Sequence, residues 1–189
     1  MAHSSSLDWD SLAPRWVSVH ENFTTDDTLS VTEGGRKIQS IGGNNGSSAK
    51  GFVKGSARGA FKIQFKLGYS WGWSSLNAAN VAAVNQAGET NAYADSSYNG
   101  FSFINNSSNN IFRCTSYDNG TGTQVVNVTG INDVMVTVWR DTSNVIKLKY
   151  STNTVTIGTF DDHFCFYTEA QSPNACELIA AYNLFDSPS

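Results

Sequence analysis

The stretch Val134 to Tyr150, VMVTVWRDTSNVIKLKY, carries the clearest structural pattern in the chain. Val134, Val136 and Val138 alternate with Met135, Thr137 and Trp139, and Ile146, Leu148 and Tyr150 alternate with Val145, Lys147 and Lys149. A pleated strand needs a period of two, so these arms predict a β-hairpin. Between them lies Asp141-Thr142-Ser143-Asn144, whose Asp and Asn side chains bond nearby backbone groups and tolerate turn conformations. The first arm is apolar on nearly both faces, which predicts a strand covered on both sides. The second has an apolar face and a lysine face. That Lys147/Lys149 face is expected to meet solvent and to be a poor place for a binding site.

Working outward, the same alternation recurs. Phe61, Ile63, Phe65 and Leu67 alternate with Lys62, Gln64 and Lys66. Leu29–Thr32 and Arg36–Ile41 flank Glu33-Gly34-Gly35, Gly100–Ile104 and Ile111–Thr115 flank an Asn/Ser turn, and Asn119-Gly120 is the strongest hairpin dipeptide available. Leu178 to Phe185 is apolar on both faces, which predicts a central strand. The best helical spacing, Leu76, Ala79, Val81 and Val84, is short and supports at most a single turn. About a dozen strands punctuated by polar turns predict an all-β antiparallel sandwich. The 189 residues suit a polar arm over 1–15 followed by one β-sandwich domain over 16–189.

Composition narrows the function. Charged residues make up 15% and the formal charge is −4, so the average field does not attract nucleic acid, and the lysines of the Phe61–Leu67 strand read as a solvated face. The cysteines, Cys114, Cys165 and Cys176, form no zinc pattern and no disulfide framework, and a Cys165–Cys176 bridge across neighbouring strands stays open. No leader-like segment and no run of 18 apolar residues is seen, so no membrane insertion is expected. Asp26-Asp27 and Asp161-Asp162 offer too few oxygens for calcium, His3, His20 and His163 lack a nucleophile partner in any motif, and no metal site, cofactor or catalytic residue is expected.

Two aromatic groups stand out. Gly68-Tyr69-Ser70-Trp71-Gly72-Trp73, followed by Tyr93 and Tyr98, offers a glycan-stacking platform of Trp71, Trp73, Tyr93 and Tyr98. Alternatively, Trp71 and Trp73 share one strand face and cap the core. In the arm, Leu7, Trp9 and Leu12 suit docking onto the domain or another subunit.

From about Val81 to Phe185 the order of elements resembles a concanavalin A-like jelly roll, the group of lectin-type, laminin G-type and SPRY-type domains. The resemblance rests on Val81–Gln86, on Ser97–Ile104 with Ile111-Phe112, and on Asn132-Asp133 leading into the Val134–Tyr150 hairpin, and it covers somewhat over half the chain. It implies a fold more than an activity. Glycanases of this group carry two Glu and an Asp at alternating strand positions, with the retaining pair ~5 Å apart. No ExDxE or ExDxxE occurs here, which argues against an enzyme. The expectation is therefore a non-catalytic structural and recognition module. The missing leader, low charge and Trp9 arm suggest a virion or surface-appendage protein, oligomeric with other subunits and able to bind a glycan; a soluble carbohydrate-binding lectin is the alternative.

Overall fold

The computed structural model describes residues 19–20, 29–32, 37–40, 48–68, 73–80, 98–106, 110–129, 135–171 and 175–182. These form strands β1 (Val19–His20), β2 (Leu29–Thr32), β3 (Lys37–Ser40), β4 (Ser48–Ala57), β5 (Phe61–Leu67), β6 (Trp73–Asn80), β7 (Gly100–Asn106), β8 (Ile111–Asp118), β9 (Thr121–Thr129), β10 (Met135–Arg140), β11 (Val145–Tyr150), β12 (Asn153–Thr159), β13 (Phe164–Gln171) and β14 (Ala175–Tyr182). One sheet runs β1-β4-β13-β6-β7-β8-β9 and the other β12-β11-β10-β5-β14-β3-β2. All recorded strand pairs are antiparallel.

The inward faces meet in an aromatic core. Phe61, Ile63, Phe65 and Leu67 of β5, Val136 and Val138 of β10, and Ile146 and Leu148 of β11 face Leu76 of β6, Phe101 and Phe103 of β7, Phe112 of β8, and Phe164 and Phe166 of β13. Rings pair across the sandwich: Phe65 with Phe103 at 5.3 Å, Phe61 edge-on to Phe166 at 5.3 Å, and Phe112 with Tyr150 at 5.5 Å. Such offset and edge contacts add to plain area burial and fix how the sheets seat on each other.

The expected hairpin forms as β10–β11, with Val136 opposite Tyr150, Val138 opposite Leu148 and Arg140 opposite Ile146. Its turn works as the residues suggest. Asp141 Oδ1 accepts from the backbone N–H groups of Ser143 (2.9 Å) and Val145 (3.1 Å), while Asn144 takes the left-handed conformation at φ 61°. At the β8–β9 turn both Asn119 (φ 47°) and Gly120 (φ 75°) have positive φ, matching a primed turn and the natural strand twist. The last strand, β14, lies between β5 and β3 and is central.

Three expectations need correction. β10 is covered on one face, not two: Val136 and Val138 are buried, whereas Met135 is 48% exposed and Thr137 and Trp139 are half-buried. The outward trio stands opposite Lys66, Gln64 and Lys62 of β5, beside strand neighbours rather than beneath another layer. At Leu76 and Ala79 the helical spacing gives way to a strand, because β6 pairs with β13 on one side and β7 on the other, while Val81 and Val84 lie outside the described residues. Residues 74–79 are all buried, so small Ser, Asn and Ala side chains fill both faces and leave no alternation to read. Finally, Cys165 and Cys176 lie on opposite sheets and Cys176 forms no disulfide, so no bridge joins them.

Arg140 pins the end of the hairpin. It is fully buried, its Nε donates to Gly59 O (2.8 Å), Nη1 to Asp162 O (2.6 Å) and Phe160 O (3.3 Å), and Nη2 to Ala57 O (3.0 Å). The guanidinium also lies 5.4 Å from the Phe61 ring centroid and 5.1 Å from that of Phe164. Burial pushes its pKa down, partly opposed by the carboxylates of Asp162 and Asp161. One side chain thus ties β10 to the end of β4, the β4–β5 connection and the β12–β13 connection through four backbone oxygens.

Candidate functional site

Because β10 alternates, pinning Arg140 inward holds Trp139 outward. Trp139 sits opposite Lys62 on one neighbouring strand and Lys147 on the other, while Thr137 sits opposite Gln64 and Lys149. Lys62, Gln64, Thr137, Trp139 and Lys149 line an open-sided groove of about 280 Å³ on the outer face of this sheet. That is near the lower end of the ~300–1,000 Å³ typical of small-ligand sites. Gln64 Nε2 donates to Thr137 Oγ1 at 3.3 Å, fixing a neutral polar pair in the groove. The described lining residues therefore offer an indole surface, an amide, a hydroxyl and two ammonium groups, with no carboxylate, imidazole or thiol among them. It is built to hold a polar ligand against an aromatic, and it lacks the side chains that most often move protons.

On the other sheet the outward side of β6 and β7 is polar but closed. Leu76 and Phe103 point into the core, so Ser75, Asn77 and Ser102 point away from it. All three are buried, and Asn77 Nδ2 donates to Ser75 Oγ at 3.0 Å. A ligand has no access to this row as it stands.

Of the residues singled out in the sequence, Tyr98 is not a platform. It is fully buried, its hydroxyl donates to Ala78 O at 3.2 Å, and its ring is edge-on to Tyr117 at 4.8 Å. A tyrosine held this way packs the body of the sandwich and has no ring face open for stacking. Trp73 opens β6, its backbone opposite that of Asn106. Trp71 and Tyr93, like Leu7, Trp9 and Leu12 of the arm, lie outside the described residues. Among the described residues no cluster of three or more His, Cys, Asp or Glu is placed to hold a metal ion, and no helix is long and apolar enough to cross a membrane.

The lysine alternation led to the groove face being set aside as plain solvent-facing surface, and the structure places the aromatic there instead. The available signal was Trp139 itself, an outward position of β10 once Val136 and Val138 are assigned inward. Reading its setting also required the β5–β10 pairing, which no local pattern reveals.

No known family matches the chain by sequence, and no curated protein does. Solved structures do match in shape. A Bacillus subtilis protein of unknown function with a galectin-like fold superposes with a TM-score of 0.57 at 5% identity, over 85% of this chain and 89% of that one. The PSpry domain of TRIM65 gives 0.56 at 12% identity, over 88% and 93%. A legume lectin-like domain from Entamoeba histolytica gives 0.55 at 12%, over 86% and 88%. The fold is a concanavalin A-like jelly roll. At these identities the likeness speaks for the architecture alone, and it reaches well beyond the half of this jelly roll in which the sequence resemblance was visible.

Proposed function

We propose that the protein is a non-catalytic recognition module that binds carbohydrate through the Trp139 groove. The observation that carries this reading is a half-buried indole in an open groove among Lys62, Gln64, Thr137 and Lys149. A sugar ring presents an apolar C–H face and a rim of hydroxyls, and an aromatic surface bordered by a few fixed polar groups complements both. Lectin-like domains use the same architecture, which favours the reading without deciding it.

Screening the protein on a glycan array, followed by titration calorimetry of the best ligand, tests it. Trp139→Ala should weaken binding by about 30-fold, the effect of removing a Trp hot spot worth about 2 kcal/mol, while the circular dichroism spectrum stays unchanged. A blank array, or a Trp139→Ala variant that binds as the parent does, sinks the proposal. Placement on a virion or surface appendage, with assembly through the Leu7, Trp9 and Leu12 arm, is a separate proposal. Light scattering that shows a monomer both with and without residues 1–15 counts against it.

A further inference from the structure

We infer that the groove selects acidic carbohydrates, oligosaccharides carrying carboxylate or sulfate groups, with Trp139 beneath a sugar ring and Lys62 and Lys149 facing the anionic substituents. This rests on the groove being a carbohydrate site. The chain as a whole is acidic, with net charge −4, yet the outward face of one sheet gathers Lys62, Lys66, Lys147 and Lys149. Register brings Lys62 and Lys147 to the two sides of Trp139. Two inter-strand spacings separate those backbones, about 10 Å, comparable with the ~8 Å screening length at physiological salt. Their mutual repulsion is therefore only partly screened.

Among the described residues the acids beside these lysines are Glu177 of β14, opposite Lys66, and Asp141 of the hairpin turn, 3.9 Å from Lys147 Nζ. Among the described residues the groove lining contains two lysines and no acid. A face serving only solubility would mix both signs and would not surround exposed apolar surface with one sign. Here Met135, 48% exposed, and the partly open Trp139 lie within the lysine field. Binding a single strand of nucleic acid calls for successive stacking aromatics along the path, and β5, β10 and β11 present one indole, Trp139, on this face.

The experiment uses the full chain and four probes: an oligogalacturonate hexamer, its methyl ester, a heparin-derived octasaccharide and a polyphosphate of similar charge. The hexamer reports carboxylate and the octasaccharide sulfate, and the ester removes charge from an unchanged backbone. At least one acidic saccharide should bind, and raising salt from 50 to 250 mM should weaken it. If the hexamer binds, its ester should bind at least tenfold more weakly. Lys62→Gln and Lys149→Gln should each weaken binding about 2- to 5-fold, as expected for exposed ion pairs. Trp139→Ala should remove most of the affinity, and Arg113→Gln, an exposed cation on the other sheet, should leave it unchanged. Trp139-dependent binding of neutral glycans, with no acidic saccharide bound more tightly, overturns this inference and leaves the carbohydrate reading standing. Polyphosphate binding as tightly as the saccharides and indifferent to Trp139→Ala overturns both.

Discussion

Arg140 allows a quantitative test of how the sandwich is held. Replacing it with Met keeps an unbranched apolar stem, shorter by the guanidinium head, and removes every donor to Ala57, Gly59, Phe160 and Asp162. Ala57 and Phe160 are 0% and 8% exposed, so their carbonyls have little recourse to water. Leaving two buried acceptors unsatisfied costs about 1–3 kcal/mol each. Loss of the guanidinium contacts with Phe61 and Phe164 adds about 0.5–2 kcal/mol. Opposing this, the variant no longer buries a charge, a penalty of several kcal/mol that the native contacts offset. The losses come to about 2.5–8 kcal/mol and the relieved penalty takes back several of these, so the expected net loss is about 1–4 kcal/mol, at about 2–4 °C of melting temperature per kcal/mol for a domain this long. Arg140→Lys keeps the charge but cannot reach three backbone segments with one fork, and should fall between the two. Urea unfolding followed by tryptophan fluorescence and by far-ultraviolet circular dichroism measures both variants. A loss below about 1 kcal/mol for Arg140→Met would refute the view that this side chain holds the connections together.

Other expectations follow from single groups. Tyr98→Phe should cost about 1 kcal/mol by removing one buried hydrogen bond and should leave glycan binding untouched; a large affinity loss in a folded variant would return Tyr98 to the ligand site. Burial, with Arg58 and then Arg140 nearby, holds the His163 imidazole below its ordinary value of 6.5. The unfolded chain therefore takes up this proton first, and stability should begin to fall as pH drops below 6.5 and level off once the folded imidazole protonates. Urea midpoints between pH 5 and 8 should lose that component in His163→Gln, and an identical slope in parent and variant would contradict it. Burial also pushes the Cys114 thiol well up, so it should resist a thiol reagent at pH 8 until urea unfolds the chain; rapid labelling of the native protein at Cys114 would show the core to be open there.

The hairpin was legible because every determinant is local: alternation in both arms, and Asp141 and Asn144 in the turn. β6 was hidden because Ser74 to Ala79 are buried on both faces, so neither a period of two nor large β-branched residues mark it. Arg140 was hidden by its residue type, although it continues the inward series of Val136 and Val138. The groove escaped for a different reason. Lys62 and Trp139 are neighbours only through a strand pairing between β5 and β10, and each looked ordinary within its own strand. Tyr98 illustrates the converse error: an aromatic among Asn and Ser looked exposed, while the partners that bury it, Ala78 and Tyr117, come from other strands.

The position of the two last strands has a consequence for how the protein comes into being. β13 lies between β4 and β6, and β14 lies between β3 and β5, so each sheet receives a central strand from the far end of the chain. During synthesis, Asn80 of β6 precedes Phe164 of β13 by an interval of several seconds at about 5–20 residues per second. Through that interval the strands that will flank β13 and β14 have backbone edges awaiting their partners, and such edges pair readily with other chains. The first sheet cannot close around its middle until β13 has emerged, nor the second until β14 has. Nascent chains of this protein thus carry open edges late into synthesis and depend on being kept apart while they wait.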